Sequence, residues 1–159
     1  MDDYAFPMPG TRRSGTGEIE DTIMVYLTRR TTFSAAHRLW SNHLTEEENI
    51  ALYGKCANAN GHGHNYVLEI TVRGNADPRT GMVLNLLDLK QAINEHVIAW
   101  VDHKHLNYDV PWLEGGIPTT EVLVMKFWER LERALPRGLL YEVKLHETEN
   151  NSASYRGGL

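Results

Sequence analysis

The feature that most constrains the fold is an alternation of side-chain character in the segment HGHNYVLEITV, residues 62–72. A period of two places every second side chain on the same face of a β-strand. The residues that share one face are His62, His64, Tyr66, Leu68, Ile70 and Val72. A buried face that begins with two imidazoles needs partners for them, because burying an unpaired polar group is unfavourable. The pattern therefore predicts a strand whose buried face leads into a polar site.

Three further segments have the composition of strands. Residues 22–37 are rich in β-branched and aromatic residues and end at His37, residues 139–148 alternate and place Glu147 on their apolar face, and residues 150–155 form a short last strand. Thr45 and Glu48 have the spacing of a capping box, which predicts a short helix from Glu46 to about Tyr53.

Two longer helices are predicted between the second and third strands. Asn85 is a suitable N-cap for the first, whose apolar stripe is Leu86, Leu89, Ile93, Val97 and Trp100. Thr119 or Thr120 can cap the second helix, which Pro136 and Gly138 end. The element order indicates an α+β fold (ββααββ) in which a four-stranded antiparallel sheet carries both long helices on one face.

Composition limits the functional classes. The chain has 159 residues, so we expect one domain over residues 22–159, preceded by a disordered extension, residues 1–21, rich in Gly, Pro and charge. The net charge of −5 argues against a general nucleic-acid partner, and no apolar run has the roughly 20 residues that a membrane span needs. One cysteine cannot form an intrachain disulfide, which favours the cytoplasm.

Three histidines are candidate metal ligands. His62 and His64 lie on one side of their strand, about 7 Å apart along the backbone, so both can reach one ion. His37 adds a third nitrogen if the first two strands are neighbours. Three imidazoles without a further thiolate are typical of a catalytic zinc site, which keeps its fourth position open.

The candidate acid–base groups lie outside this trio. Cys56 has the polar neighbours Lys55 and Asn58, and a lysine and a metal nearby would favour its thiolate. Asp102 and His103 can form a proton relay only where a turn or helix end lets adjacent residues cooperate. Glu147 has two oxygens that can bind an amidine-like ring edge, although taken alone it equally fits a solvated group at a strand end. One alternative remains: a non-enzymatic module in which zinc is structural and Cys56 is the fourth ligand.

The chain resembles the 6-pyruvoyltetrahydropterin synthases of the wider tunnelling-fold group. The resemblance covers about residues 28–157 and rests on several motifs in family order. These are FSAAHRL, GKCANANGHGHNY, TGMVLNLLDLK, VDHKHLN, PTTE and ETEN. Together they are specific, although no one of them is sufficient alone.

The resemblance implies a function and a site. It implies zinc on His37, His62 and His64, a catalytic Cys56 served by Asp102 and His103, and a pterin ring held by Glu147 with Thr119 and Thr120. The implied reaction is that of a zinc-dependent lyase of tetrahydrobiopterin synthesis, which converts 7,8-dihydroneopterin triphosphate to 6-pyruvoyltetrahydropterin and triphosphate. The implied assembly is a homohexamer of two trimers, in which sheets join into a multi-chain barrel.

The alternative activity within this fold is that of the 6-carboxytetrahydropterin synthases of queuosine synthesis. Those enzymes tend to have a shorter gap between the cysteine and the histidine pair. The five-residue gap between Cys56 and His62 favours the pyruvoyl reaction. Arg30, Arg38 and Lys104 are unranked candidates for holding the triphosphate.

Overall fold

The structure is a computed structural model that describes residues 24–158. The extension predicted over residues 1–21 lies outside the described residues. The elements within them are β1 (Val25–His37), α1 (Glu46–Tyr53), β2 (His62–Gly74), α2 (Leu86–Ile93), α3 (Ala99–Val101), β3 (Lys104–His105), α4 (Thr120–Ala134), β4 (Leu140–His146) and β5 (Ser152–Tyr155). A π-helical turn, Asn94–Ile98, joins α2 to α3, and short 3-10 turns cover Gly54–Ala57 and Pro111–Leu113.

One mixed sheet with the strand order β3-β1-β2-β4-β5 organises the chain. β1 and β2 pair antiparallel over their whole length, from Val25 opposite Gly74 to His37 opposite His62. The β2–β4 and β4–β5 pairs are also antiparallel. The α+β class is therefore confirmed, and the four predicted strands are all present.

The prediction of a purely antiparallel four-stranded sheet is wrong in one respect. A fifth strand, β3, pairs in parallel with Ala35 and Ala36 of β1. The chain reaches this position after His103, which has a left-handed backbone with φ 57°. Two residues are too few for any alternation, so the sequence carries no periodic signal for this strand.

The core lies between one face of the sheet and the two long helices. Phe33, Tyr66 and Leu68 of the sheet belong to the same buried cluster as Leu89 of α2 and Phe127 of α4. The opposite face is polar, with a hydrogen bond between the hydroxyls of Thr28 and Thr71. No helix within residues 24–158 combines the length and the apolar surface that a membrane span requires.

Local signals placed the helix starts correctly. Both halves of the predicted capping box form at Thr45 and Glu48, and α1 runs from Glu46 to Tyr53. Asn85 and Thr119 cap α2 and α4 through their side-chain oxygens. These caps form because each satisfies an N–H group that the first helical turn leaves without a partner.

Candidate metal centre and active site

The pairing of β1 with β2 brings the three candidate histidines together. His37 is opposite His62 in the register, and His64 follows on the same face of β2. One ring nitrogen from each lies within 4.8 Å of the other two, and the Nε2 atoms of His37 and His62 are 3.1 Å apart. Three donors this close can bind a single ion, so the geometry agrees with the predicted trio.

A backbone carbonyl orients His37. The His37 ring is fully buried, and its Nδ1–H donates to the carbonyl oxygen of Pro118 at 2.8 Å. A proton on Nδ1 leaves the lone pair on Nε2, the atom that faces the other imidazoles. No sequence pattern indicates this contact, because any residue supplies a carbonyl and Pro118 is 81 positions away.

The environment favours neutral imidazoles, the form that binds metals. Burial lowers the pKa of His37 and of His62 below the usual 6.5, and repulsion from a neighbouring imidazole adds to it in each case. The buried atoms His62 Nδ1 and His64 Nε2 have no hydrogen-bond partner among the described residues. Unpartnered buried nitrogens beside a third imidazole fit the needs of a metal ligand set.

Glu147 lies next to the histidines. Its Oε1 is 3.6 Å from His37 Nε2 and 3.9 Å from His64 Nε2. The residue follows β4 in the turn to β5, where its N–H donates to the carbonyl of Asn151 at 3.0 Å. A carboxylate at this position is close enough to contact a molecule that binds beside the imidazoles.

A cleft of about 460 Å³ connects Glu147 with the start of α4. Thr119, Thr120 and Glu121 line it together with the β4–β5 turn. The Thr119 hydroxyl accepts from the Val122 N–H as the helix cap, so this oxygen is already engaged. The structure thus brings the three predicted ring-binding residues to one cleft, and it adds Glu121, which no motif in the sequence indicated.

Cys56 is partly buried in the 3-10 turn that leads from α1 towards β2. Its carbonyl accepts from the Leu39 N–H at 2.8 Å, which ties the turn to the chain just after His37. The cysteine thus follows α1 and precedes the histidine pair, near the strand ends that carry the site.

Asp102 and His103 form an ion pair elsewhere, at the outer edge of β1. Asp102 Oδ2 is 3.0 Å from His103 Nδ1, and Asp102 Oδ1 accepts from the Ser34 N–H. That backbone hydrogen bond is the main reason why the pKa of Asp102 is lowered. Within residues 24–158, no hydrogen bond joins this pair to the Cys56 thiol. The turn that lets adjacent residues cooperate is present, and it holds the pair at Ser34, whereas the turn that carries Cys56 is bonded to Leu39, five residues further along the chain.

Residues 26–158 match the family described as 6-pyruvoyl tetrahydropterin synthase. The chain is 50% identical over 131 residues to the 6-pyruvoyl tetrahydrobiopterin synthase of Homo sapiens, covering 82% of this chain and 90% of the relative. It is 49% identical over 133 residues to the enzyme of that name from Dictyostelium discoideum, covering 84% and 96%.

A solved structure of Caenorhabditis elegans 6-pyruvoyl tetrahydropterin synthase has a TM-score of 0.82 and 39% identity, covering 86% of this chain and 98% of that one. The Plasmodium vivax protein of the same name has a TM-score of 0.64 at 16% identity, which shows a shared fold alone.

Proposed function

The chain belongs to the 6-pyruvoyl tetrahydropterin synthase family, and we propose that it converts 7,8-dihydroneopterin triphosphate to 6-pyruvoyltetrahydropterin and triphosphate. The observation that carries this proposal is the meeting of three imidazole nitrogens, a carboxylate and an adjoining cleft at one end of the sheet. The imidazoles suit a catalytic metal and the carboxylate suits a pterin edge.

Zinc is the proposed cofactor, held by His37, His62 and His64. The ligand set contains three imidazoles and no thiolate, which is typical of a zinc site that leaves a position for substrate. When bound by these histidines, zinc would supply Lewis-acid chemistry at the hydroxyls of the substrate side chain, and neighbouring C–H and O–H bonds would become more acidic. The Pro118 carbonyl keeps His37 in the tautomer that this role requires.

The substrate ring occupies the cleft between the β4–β5 turn and α4. Glu147 accepts hydrogen bonds from the amidine-like edge of the pterin, and Thr119 and Thr120 stand at the same cleft. Because Glu147 is also within 4 Å of two of the histidines, a ring anchored there has its side chain next to them.

Proton transfer requires Cys56, with Asp102 and His103 in support. Cys56 takes a proton from the substrate side chain, and the Asp102–His103 ion pair carries protons onward. Oxidation and reduction occur within the substrate, so the reaction needs no nicotinamide.

The triphosphate needs a cation. Arg38 stacks on Trp40 and donates to the Ala57 carbonyl, and Arg30 lies 3.8 Å from Glu69. Lys104 has no ion-pair partner in the described part of the chain and lines a cleft of about 510 Å³ with His103. Lys104 is therefore the favoured cation of the three.

A homohexamer of two trimers, with sites at subunit boundaries, accounts for the separation of Cys56 from its relay. β3 covers only Ala35 and Ala36 of β1, so the rest of that edge can pair with another chain, and β5 forms the opposite edge. Pairing these edges between chains around an axis gives a barrel without unpaired strand edges. In that barrel, Asp102 and His103 serve the neighbour's cysteine. The lone cysteine suits a cytoplasmic setting.

Product analysis tests the reaction. The purified, zinc-loaded protein is incubated with 7,8-dihydroneopterin triphosphate, and the pterin and phosphate products are identified by mass spectrometry. We expect triphosphate and a pyruvoyl pterin. A carboxy pterin with acetaldehyde would assign the queuosine-type activity instead, and unchanged substrate would contradict both.

A further inference from the structure

The helix that leads to Asp102 has an apolar pattern that an α-helix alone does not satisfy. Leu89, Ile93, Val97 and Val101 are all buried and recur every four residues. In an α-helix each step of four advances by about 40°, so three steps drift by about 120°. The π-helical turn, Asn94–Ile98, offsets this drift because it holds more residues per turn.

This turn changes which residues are buried. The predicted stripe included Trp100, but Trp100 is 41% exposed, whereas Val101 is fully buried. The turn therefore sets the rotation of the helix end. Asp102 follows Val101 directly, so its direction depends on that rotation.

Side chains hold two carbonyl groups of the π-helical turn. The Trp100 indole N–H donates to the Glu95 carbonyl at 3.1 Å, and Arg130 Nε donates to the His96 carbonyl at 2.5 Å. Arg130 comes from the facing helix α4. Its guanidinium carbon is 5.1 Å from the ring centre of Trp100 and 4.8 Å from that of Trp112, within the range of cation–π contacts.

These contacts require an arginine at position 130. A planar guanidinium can stack on an indole and donate in its own plane at the same time, which an ammonium group cannot do. Burial is the main reason why the pKa of Arg130 is lowered, and Arg133 adds to it. A partly desolvated cation at a helix contact needs such partners.

Three hydrogen bonds connect the helix end to the Asp102–His103 ion pair and to Ser34, and they fix the position of the pair. Asp102 N–H donates to the Ile98 carbonyl at 2.9 Å, the last residue of the π-helical turn. Asp102 Oδ1 accepts from Ser34 N–H, and His103 N–H donates to the Ser34 carbonyl at 2.6 Å. A rotation of the helix end would break the contacts with Ser34 and turn the ion pair away from the edge of β1.

We propose that Arg130 is a positioning residue for the Asp102–His103 pair, acting through the π-helical turn that it holds. The inference rests on the proposed function, in which this pair carries protons. Without Arg130 the turn relaxes towards α-helix, and one residue of α-helix corresponds to about 100° of rotation. Arg130 itself contacts no substrate.

Steady-state kinetics of the zinc-loaded protein give the first test. Arg130→Ala should lower kcat for triphosphate release about 10- to 100-fold, because misplacement of a catalytic group by about 1 Å has effects of that size. KM and zinc content should not change. The kcat of Arg130→Lys should lie between those of the unmodified protein and Arg130→Ala. This variant provides the measurement if Arg130→Ala does not fold. Arg133→Ala removes the same charge from an exposed position of α4 and should retain normal kcat.

A double-mutant cycle separates positioning from general destabilisation. In a His103→Ala background, Arg130→Ala should have little further effect on turnover, because the group that it positions is already gone. An equal loss with and without His103 would overturn the positioning role. A fully active His103→Ala protein would instead contradict the proposed function of the ion pair.

Hydrogen exchange gives a readout that does not depend on turnover. The Ser34 amide is bonded to Asp102 Oδ1, so its exchange reports that contact directly. We expect at least about tenfold faster exchange of Ser34 and His103 amides in Arg130→Ala or Arg130→Lys, with β2 amides unchanged. Unchanged exchange at Ser34 would also overturn the inference.

Discussion

The separation of Cys56 from the Asp102–His103 pair leads to a quantitative complementation experiment. The His103 side chain is 81% exposed at the edge of β1, and Asp102 is bonded to Ser34 there. If each site combines Cys56 of one chain with His103 of the next, two inactive variants can restore one another. Cys56→Ala and His103→Ala proteins are mixed, unfolded together and reassembled.

The expected recovery follows from counting boundaries in a closed ring. A boundary works only when its cysteine comes from a His103→Ala chain and its histidine comes from a Cys56→Ala chain. Random assembly of an equal mixture makes about one quarter of the boundaries intact. A three-to-one mixture gives about three sixteenths, whichever variant is in excess. Cys56→Ala alone should lose about 100-fold or more of its turnover, as expected for a general base.

The assay is triphosphate release per chain as a function of mixing ratio, with heteromers verified by native mass spectrometry. A mixture of Cys56→Ala with a Cys56→Ala/His103→Ala chain is the matched control, because no boundary in it has an intact cysteine. It should stay inactive at every ratio. Heteromers of the two single variants that are equally inactive would refute the shared site.

Three further outcomes are expected. The His62→Ala/His64→Ala protein should fold but lose a zinc content of about one per chain, measured by atomic absorption, and retention of zinc would contradict the ligand assignment. Glu147→Gln should weaken binding of a pterin analogue in calorimetry and leave zinc content unchanged; equal affinity, or lost zinc, would argue against a ring anchor. The metal-free protein should lose stability in urea as pH falls through about 6.5, because burial lowers the folded-state pKa of His37 and His62 and protons then bind the unfolded chain more tightly. His43 is exposed, so the control variant His43→Ala should show the same pH dependence of stability as the unmodified chain.

The individual elements could be predicted because their signals lie in contiguous residues. The alternation of residues 62–72 defines which side chains of β2 are buried, and Thr45 with Glu48 defines the start of α1. The cluster of three histidines could also be inferred, since His62 and His64 share a face by strand geometry and strands that follow one another in the chain usually pair, as β1 and β2 do across the connection that contains α1.

Contacts between distant residues could not be predicted in this way. The two-residue strand β3 has no periodicity, and it forms because the chain after Val101 reaches the edge of β1. The apolar stripe predicted for residues 86–100 is wrong at both ends, because Leu86 and Trp100 are exposed. The error at Trp100 arises because an α-helical period does not hold across the π-helical turn.

The sequence by itself determined the α+β class, the caps, the buried face of β2 and the candidate residues for the site, because periodicity and capping act over a few residues. Tertiary structure alone decided that Pro118 orients His37 and that Glu147 lies beside the imidazoles. It also decided that Arg130 holds the turn before Asp102. Each of these contacts joins residues more than 30 positions apart, and their distances are set by how strands and helices pack rather than by any local pattern.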